Sequence, residues 1–243
     1  FIQTGDNVRL NCVMHEEIDS SFEILKSADI VVVCLNFEEL YPNLIAAALE
    51  SDYTIDQICN VIKNSNLELF SLIKSTSNAK IIWFGFEDYF AKDYIPFGTK
   101  NILSGLIDRV NLSLCENLSD DVFVDLKKII ALCGICSSYN IKGKYRWNAP
   151  YSKELIKLMA DEIYKQYLIH TGQTKKCLIL DCDNVLWGGI LSEDGIEDLK
   201  LSGSGFGRLY QDFQRFALSL YYHGVILAIC SKNDLSDVLI VFR

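Results

Sequence analysis

Two aspartates stand two residues apart in Leu180-Asp181-Cys182-Asp183-Asn184-Val185-Leu186-Trp187-Gly188-Gly189, directly after the apolar run Cys177-Leu178-Ile179-Leu180. Alternation along an extended chain puts both carboxyl groups on one side, with Cα atoms roughly 6–7 Å apart. A buried parallel strand over 176–181 leaves both at its carboxyl end, where open α/β sheets keep their ligand sites. Carboxylates so close repel each other unless a cation or a shared proton compensates. Mg²⁺ suits them: it is a hard cation that takes one or two carboxylates together with phosphate oxygens of a substrate. One carboxylate can then attack phosphorus to give an aspartyl-phosphate, while the other protonates the leaving group and later activates water. The competing reading is plain turn chemistry, since Asp and Asn favour the ends of strands. Further on, Ser231-Lys232-Asn233-Asp234 follows a second apolar run, 225–230, and opens a helix. Its unpaired amides and dipole favour an anion there.

These groups need a frame, and the sequence supplies one. β-branched runs alternate with helical stretches: strands are predicted over 30–35, 79–86 and 122–126, and helices over 37–49, 54–74 and 100–118. Such alternation predicts a parallel, doubly wound sheet covered on both faces. The polar, aromatic stretch 139–150 carries Gly143 and Pro150 as breakers, and Ser152 is placed to cap a helix over 153–169. Residues 170–174 read as a linker, after which the grammar repeats with a strand over 176–181, a loop-rich excursion over 184–204, a helix over 207–224 and a strand over 225–230. Asp234 is positioned to cap a last helix. Two strands are too few for an independent sheet domain, so the second domain is expected to be incomplete.

Composition narrows the class. The 243 residues are 50% hydrophobic with 3 Pro and 14 Gly, which excludes a disordered or collagen-like chain. A formal charge of −9 argues against a protein that coats nucleic acid. No apolar run approaches the ~20 residues needed to span a membrane. Phe1 is not a native start, so an upstream segment is expected. Nine scattered cysteines point to free thiols in a reducing cytoplasm.

The stretch from Asp181 resembles motif I of the haloacid-dehalogenase (HAD) superfamily, DxDx[TV], and in its DxDN-x-LWGG form the FkbH-like family. The resemblance continues through Ser192-Glu193-Asp194-Gly195, Tyr210-Gln211-Asp212-Phe213-Gln214 and Gly224-Val225-Ile226-Leu227-Ala228-Ile229-Cys230-Ser231-Lys232-Asn233. Val185 stands where Thr is usual and His223 where Arg is usual. The resemblance implies that Asp181 is the nucleophile and a Mg²⁺ ligand. It makes Asp183 the general acid/base, touching the metal through its carbonyl, and gives Ser231, Lys232 and Asn233 the phosphoryl group. Residues 187–204 would form a flap, with Gly188-Gly189 in a tight hairpin. The family's later lysine and acidic ligands would lie beyond Arg243, so this stretch alone is expected to bind Mg²⁺ weakly and turn over poorly.

In FkbH-like proteins the preceding region resembles an SGNH-hydrolase-like α/β domain, and residues 1–171 are compatible with one lacking its first strand. Ser27-Ala28-Asp29 resembles its strand entry, and 144–152 its aromatic-basic stretch. Gly5-Asp6-Asn7 has no serine, and no histidine lies between His15 and His170, so a catalytically silent domain is expected. The implied architecture is α/β, with two Rossmann-like parallel-sheet domains: SGNH-like over 1–171 and an incomplete HAD-like one over 175–243.

The implied function is Mg²⁺-dependent phosphoryl chemistry. In its FkbH-like form, a glyceryl group passes from a phosphorylated three-carbon donor to an acyl-carrier protein as a thioester, in polyketide-type biosynthesis. Loading needs a thiol. Cys230 is the candidate, beside the phosphate site and a helix N-terminus that lowers a thiol's pKa, with a buried core cysteine as the equal alternative; Cys182 turns away from the two aspartates. The runner-up is a non-catalytic module that docks a carrier protein, and an esterase with an upstream serine comes last. Cys133-Gly134-Ile135-Cys136 lacks the second pair a zinc site wants and reads as two buried thiols at a helix end. Gly203-Ser204-Gly205-Phe206-Gly207 reads as a connector.

Overall fold

The computed structural model describes residues 9–50, 54–90 and 102–242. The chain divides into two compact units, Phe1–Gly172 and Gln173–Arg243.

In the first unit, three parallel strands lie in the order β1 (Ile30–Cys34), β2 (Lys80–Phe84), β3 (Val122–Val124). β2 is central, and side chains alternate across it. Ile81 and Trp83 enter one core with Ile58, Ile62 and Ile73 of the helix Ile55–Thr76 and with Leu106 and Val110 of the helix Ile102–Asn117. Ile82 and Phe84 enter the opposite core with Leu126 and Ile130 of the helix Leu126–Cys133 and with Leu155 and Met159 of the helix Lys153–His170. Four consecutive buried residues, 81–84, are what a strand covered on both faces requires.

Local chemistry sets the ends of these elements. Thr54 and Gln57 form a reciprocal capping box at the start of Ile55–Thr76. The Ser152 hydroxyl accepts from the Leu155 amide at 3.1 Å, as its position predicts. The helix predicted over 37–49 is two, Phe37–Leu40 and Pro42–Glu50, broken at Tyr41 because the residue before a proline is driven from helical angles. The strand predicted over 122–126 stops at Val124, since Asp125 turns to cap the next helix and accepts from the Lys127 amide at 3.1 Å. Cys133 and Cys136 are not both buried: Gly134, at φ 85°, ends the helix between them and leaves Cys133 half-buried and Cys136 exposed.

In the second unit, β4 (Cys177–Leu180) and β5 (Ile226–Ile229) pair in parallel, Leu180 opposite Ile229. Leu180, Cys182, Leu186 and Trp187 pack with Ala217 of the helix Gly205–Tyr222 and Val238 of the helix Leu235–Val241. No described helix is long and apolar enough to cross a membrane.

Candidate functional site

Both strands of the second unit end side by side. The Cys230 amide donates to the Leu180 carbonyl at 2.9 Å, so the first residue after β5 lies beside the first after β4, which is Asp181. Asp181 is exposed, and its Oδ1 accepts from the Cys182 amide at 2.7 Å. The chain then reverses tightly: the Cys182 carbonyl accepts from the amides of Val185 and Leu186 at 3.2 and 2.9 Å. Asn184 takes a left-handed φ of 57° at this reversal, a conformation Asn tolerates, and its Oδ1 accepts from the Gly189 amide at 3.1 Å.

Asp183 is half-buried and fully engaged. Its Oδ1 accepts from the Trp187 indole at 3.0 Å and from the Leu191 amide at 3.1 Å, and its Oδ2 accepts from Asn233 Nδ2 at 2.9 Å. Desolvation, the largest single influence, pulls its pKa upward. The hydrogen bonds from Asn233, Leu191 and Trp187 together outweigh it and hold the carboxyl below the ordinary aspartate range.

Asn233 also reaches back, donating from its amide and from Nδ2 to Ser231 Oγ at 3.2 Å each. Ser231 hydrogen-bonds Cys182 as well. That thiol is fully buried, and burial pushes its pKa up while the bond to Ser231 opposes the rise. Cys182 therefore faces the core, as strand alternation predicts. Cys230 is exposed, so the buried alternative for it does not hold. Lys232 is exposed. The helix after Asp234 is only Leu235–Val241, and the Asp234 side chain makes no capping hydrogen bond.

The flap has more structure than its sequence shows. Gly188 and Gly189 do not form a two-residue hairpin. Gly188 pairs with Lys200 in an isolated antiparallel bridge, and the helical turn Leu191–Asp194 lies between them. A Cβ on Gly188 would sit 2.7 Å from the Tyr210 ring, and Gly189 adopts φ 114°; one is a close approach, the other a backbone that glycine alone takes readily. The helix Gly205–Tyr222 fastens this segment: Gln214 Nε2 donates to the Leu186 carbonyl at 2.6 Å and Gln211 Nε2 to the Leu201 carbonyl at 2.7 Å. Sequence reasoning placed Trp187 only at the start of the flap and gave Gln211 and Gln214 no role. Their signal lay in the LWGG and YQDFQ blocks, where a buried indole and a buried-face amide each need a partner.

The donor set suits a hard divalent ion in part. Asp181 presents an exposed carboxylate at the strand end, and Mg²⁺ characteristically takes one or two carboxylates and fills its remaining positions with water and substrate oxygens. The Asp183 side chain is committed to three donors, leaving its carbonyl as the group it could offer. Among the described residues no cluster of three or more His, Cys, Asp and Glu is placed to hold a metal by itself.

In the first unit, Asn36 follows β1 and Glu87 follows β2, both lining a small cleft with Tyr89, Tyr139 and Lys144. Burial pushes the Glu87 carboxyl up, against hydrogen bonds from the Tyr89 amide at 2.5 Å and the Tyr139 hydroxyl at 2.8 Å. Neither strand end presents a serine or histidine; Gly5-Asp6-Asn7 lies outside the described residues.

No protein-family model matches the chain, and no curated protein matches it significantly. Among solved structures, the chain is similar to the crystal structure of the N-terminal part of the protein BF1531 from Bacteroides fragilis, which contains a phosphatase domain complexed with Mg. The TM-score is 0.75 at 19% sequence identity, over 97% of this chain and 64% of that one. The likeness shows a shared α/β fold.

Proposed function

We propose that the second unit belongs to a HAD-type, Mg²⁺-dependent phosphatase. The observation that carries this reading is the exposed Asp181 at the end of β4, two residues from an Asp183 held by three donors. The likeness to a Mg-bound phosphatase-domain structure supports it. An Asp181 carboxylate oxygen attacks phosphorus, the bond from phosphorus to the leaving oxygen breaks, and an aspartyl-phosphate forms. Asp181 and the Asp183 carbonyl would hold Mg²⁺, which would supply positive charge against the phosphoryl oxygens. Asp183 gives a proton to the leaving oxygen and later takes one from the attacking water. Its depressed pKa suits the second half, and the first half needs one of its three hydrogen bonds to loosen. Ser231, Lys232 and Asn233 border the phosphoryl group.

In its finer form the reading is FkbH-like: the Cys230 thiolate attacks the acyl carbon of a three-carbon acyl phosphate, the bond from that carbon to the phosphate oxygen breaks and phosphate leaves, and the glyceryl thioester passes to the thiol of an acyl-carrier protein. The exposed Cys230 beside Asp181 supports that role for its thiol. The test is phosphate release from a panel of phosphorylated three-carbon acids by the full protein with Mg²⁺. Asp181→Asn is expected to abolish release with the fold intact; retained turnover removes Asp181 as nucleophile. Cys230→Ser is expected to lose a hydroxylamine-sensitive mass adduct while still releasing phosphate, and an adduct on another cysteine removes Cys230.

A further inference from the structure

Residues 140–150 form a loop of the first unit whose two ends meet. Tyr139 and Tyr151 pair in an antiparallel bridge, the Asn140 amide donates to the Pro150 carbonyl at 2.7 Å, and the Ser152 amide to the Ser138 carbonyl at 2.9 Å. Between these pins runs the helix Ile141–Trp147, capped by Asn140, whose Oδ1 accepts from the Gly143 amide at 3.0 Å, and closed by Asn148 at φ 51°. Gly143 faces inward so closely that a Cβ would lie 2.4 Å from the Ala149 carbonyl oxygen. Lys144 pairs with Glu38 at 2.8 Å, and Asn148 Nδ2 donates to Glu39 at 3.3 Å, fastening the loop's base to the helix Phe37–Leu40. A compact loop with joined ends and its own internal packing is a form that functional surface loops take.

This rigid frame presents large side chains to solvent. Tyr145 is 76% exposed, Trp147 68% and Ile141 49%, with exposed Lys142 and Arg146 between them. The Arg146 guanidinium lies 6.0 Å from the Trp147 ring centroid. Neither Lys142 nor Arg146 pairs with a carboxylate among the described residues. Residues 126–160 hold seven lysines and arginines against one carboxylate, Glu154, in a chain whose formal charge is −9. Lys127, Lys128 and Lys144 pair with carboxylates outside this stretch, which leaves Lys142, Arg146, Lys153 and Lys157 without an ion pair among the described residues.

We infer that the 140–150 loop is a docking surface for an acidic protein partner that places carboxylates around an apolar anchor. Tyr, Trp and Arg are the residue types that dominate binding energy at protein interfaces, and a pre-ordered loop spares the entropy of fixing them. A strongly acidic partner is repelled by the chain's overall negative charge and drawn to these unpaired cations, so charge fixes orientation as well as attraction. The same overall negative charge disfavours nucleic acid and anionic membranes, which track extended basic surfaces. The inference goes beyond the phosphatase reading and does not rest on it, because every residue named lies in the first unit.

The test is fluorescence anisotropy with the full chain and a labelled amphipathic helical peptide of about five turns, glutamates flanking a leucine stripe. The comparison probes are its lysine-for-glutamate counterpart, a single-stranded oligonucleotide and phosphatidylserine vesicles. The acidic peptide is expected to bind, with affinity falling roughly tenfold as salt rises from about 0.05 to 0.3 M. The lysine peptide is expected not to bind. Lys142→Glu combined with Arg146→Glu should weaken binding by about tenfold or more, and Trp147→Ala by about fivefold or more. Both changes are at exposed positions and should leave the melting temperature unmoved. Failure of the acidic peptide to bind, equal binding by the charge-reversed variant or of the lysine peptide, or tighter binding of the oligonucleotide or vesicles would each overturn the inference.

Discussion

Asn233 donates to Asp183 at 2.9 Å across fifty residues of sequence, joining the loop after β5 to the loop after β4. The same amide nitrogen reaches Ser231 Oγ. One side chain thereby sets the distance between the aspartate pair and the Ser231 loop. The residue that the sequence places at the phosphoryl group also holds Asp183.

Asn233→Ala is accordingly expected to destabilise the second unit by about 1 kcal/mol, toward the lower range for a hydrogen bond to a charged group because Asp183 is only half-buried. The sign with pH follows from the direction of the shift. A carboxyl held below its ordinary value contributes stability that is complete above the unfolded aspartate range of about 3.9 and is lost as pH falls through the depressed value. Denaturation of wild type and variant from neutral to acid pH should show a gap that closes below that range. A gap independent of pH would mean that Asn233 acts through packing alone.

Trp187→Phe keeps an aromatic ring in a buried position and removes the indole N–H that Asp183 accepts. The Asp183 carboxyl should titrate at higher pH in the variant, followed by carbon-13 NMR of the side-chain carboxyl. An unmoved titration would leave the Leu191 amide and Asn233 as sufficient donors.

Strand and helix types were largely legible, because β-branched runs such as Ile30-Val31-Val32-Val33 and helical repeats such as Ile58, Ile62, Leu69 and Ile73 carry their own signal. Short elements escaped. The turns Phe22–Lys26 and Ile135–Ser138 hold too few residues to show a period, and the helix Ile141–Trp147 is set by Asn140, Gly143 and Asn148 instead of an apolar stripe. At the site, Asp181 and Asp183 stood out by type and spacing. The partners of Asp183 did not, since two of its three donors, Asn233 and the Leu191 amide, are placed by folding at separations of fifty and eight residues.

Asp121, nearly fully buried, accepts from the Ile81 amide at 2.8 Å and pairs with Lys74 at 2.6 Å. It ties the start of β2 to the turn before β3. Asp121→Ala leaves a buried amide without its acceptor and separates the ion pair, so a loss of about 2 kcal/mol is expected, reduced from a fully buried pair because Lys74 reaches solvent. Equilibrium denaturation measures it. A loss no larger than that of Lys74→Ala would assign the whole effect to the ion pair and none to the Ile81 amide.

Two glycine substitutions test the packing around Gly143 from opposite directions. Gly105 lies in the interior of the helix Ile102–Asn117, and nothing approaches within 4 Å of where its Cβ would stand. Alanine there removes freedom from the unfolded chain and adds a helix-favouring residue, so Gly105→Ala should raise stability by about 0.4–1 kcal/mol. Gly143 also lies in a helix, but its Cβ would meet the Ala149 carbonyl oxygen at 2.4 Å, and that backbone is pinned by the Ala149 amide donating to the Gly143 carbonyl at 3.2 Å. The strain has no flexible side chain to absorb it. Gly143→Ala should therefore cost about 1–3 kcal/mol, and amide hydrogen exchange over 140–150 should quicken, because opening the loop is the cheapest relief. Exchange unchanged across those residues, with stability raised as at Gly105, would show that the contact between Gly143 and Ala149 does not hold the loop together.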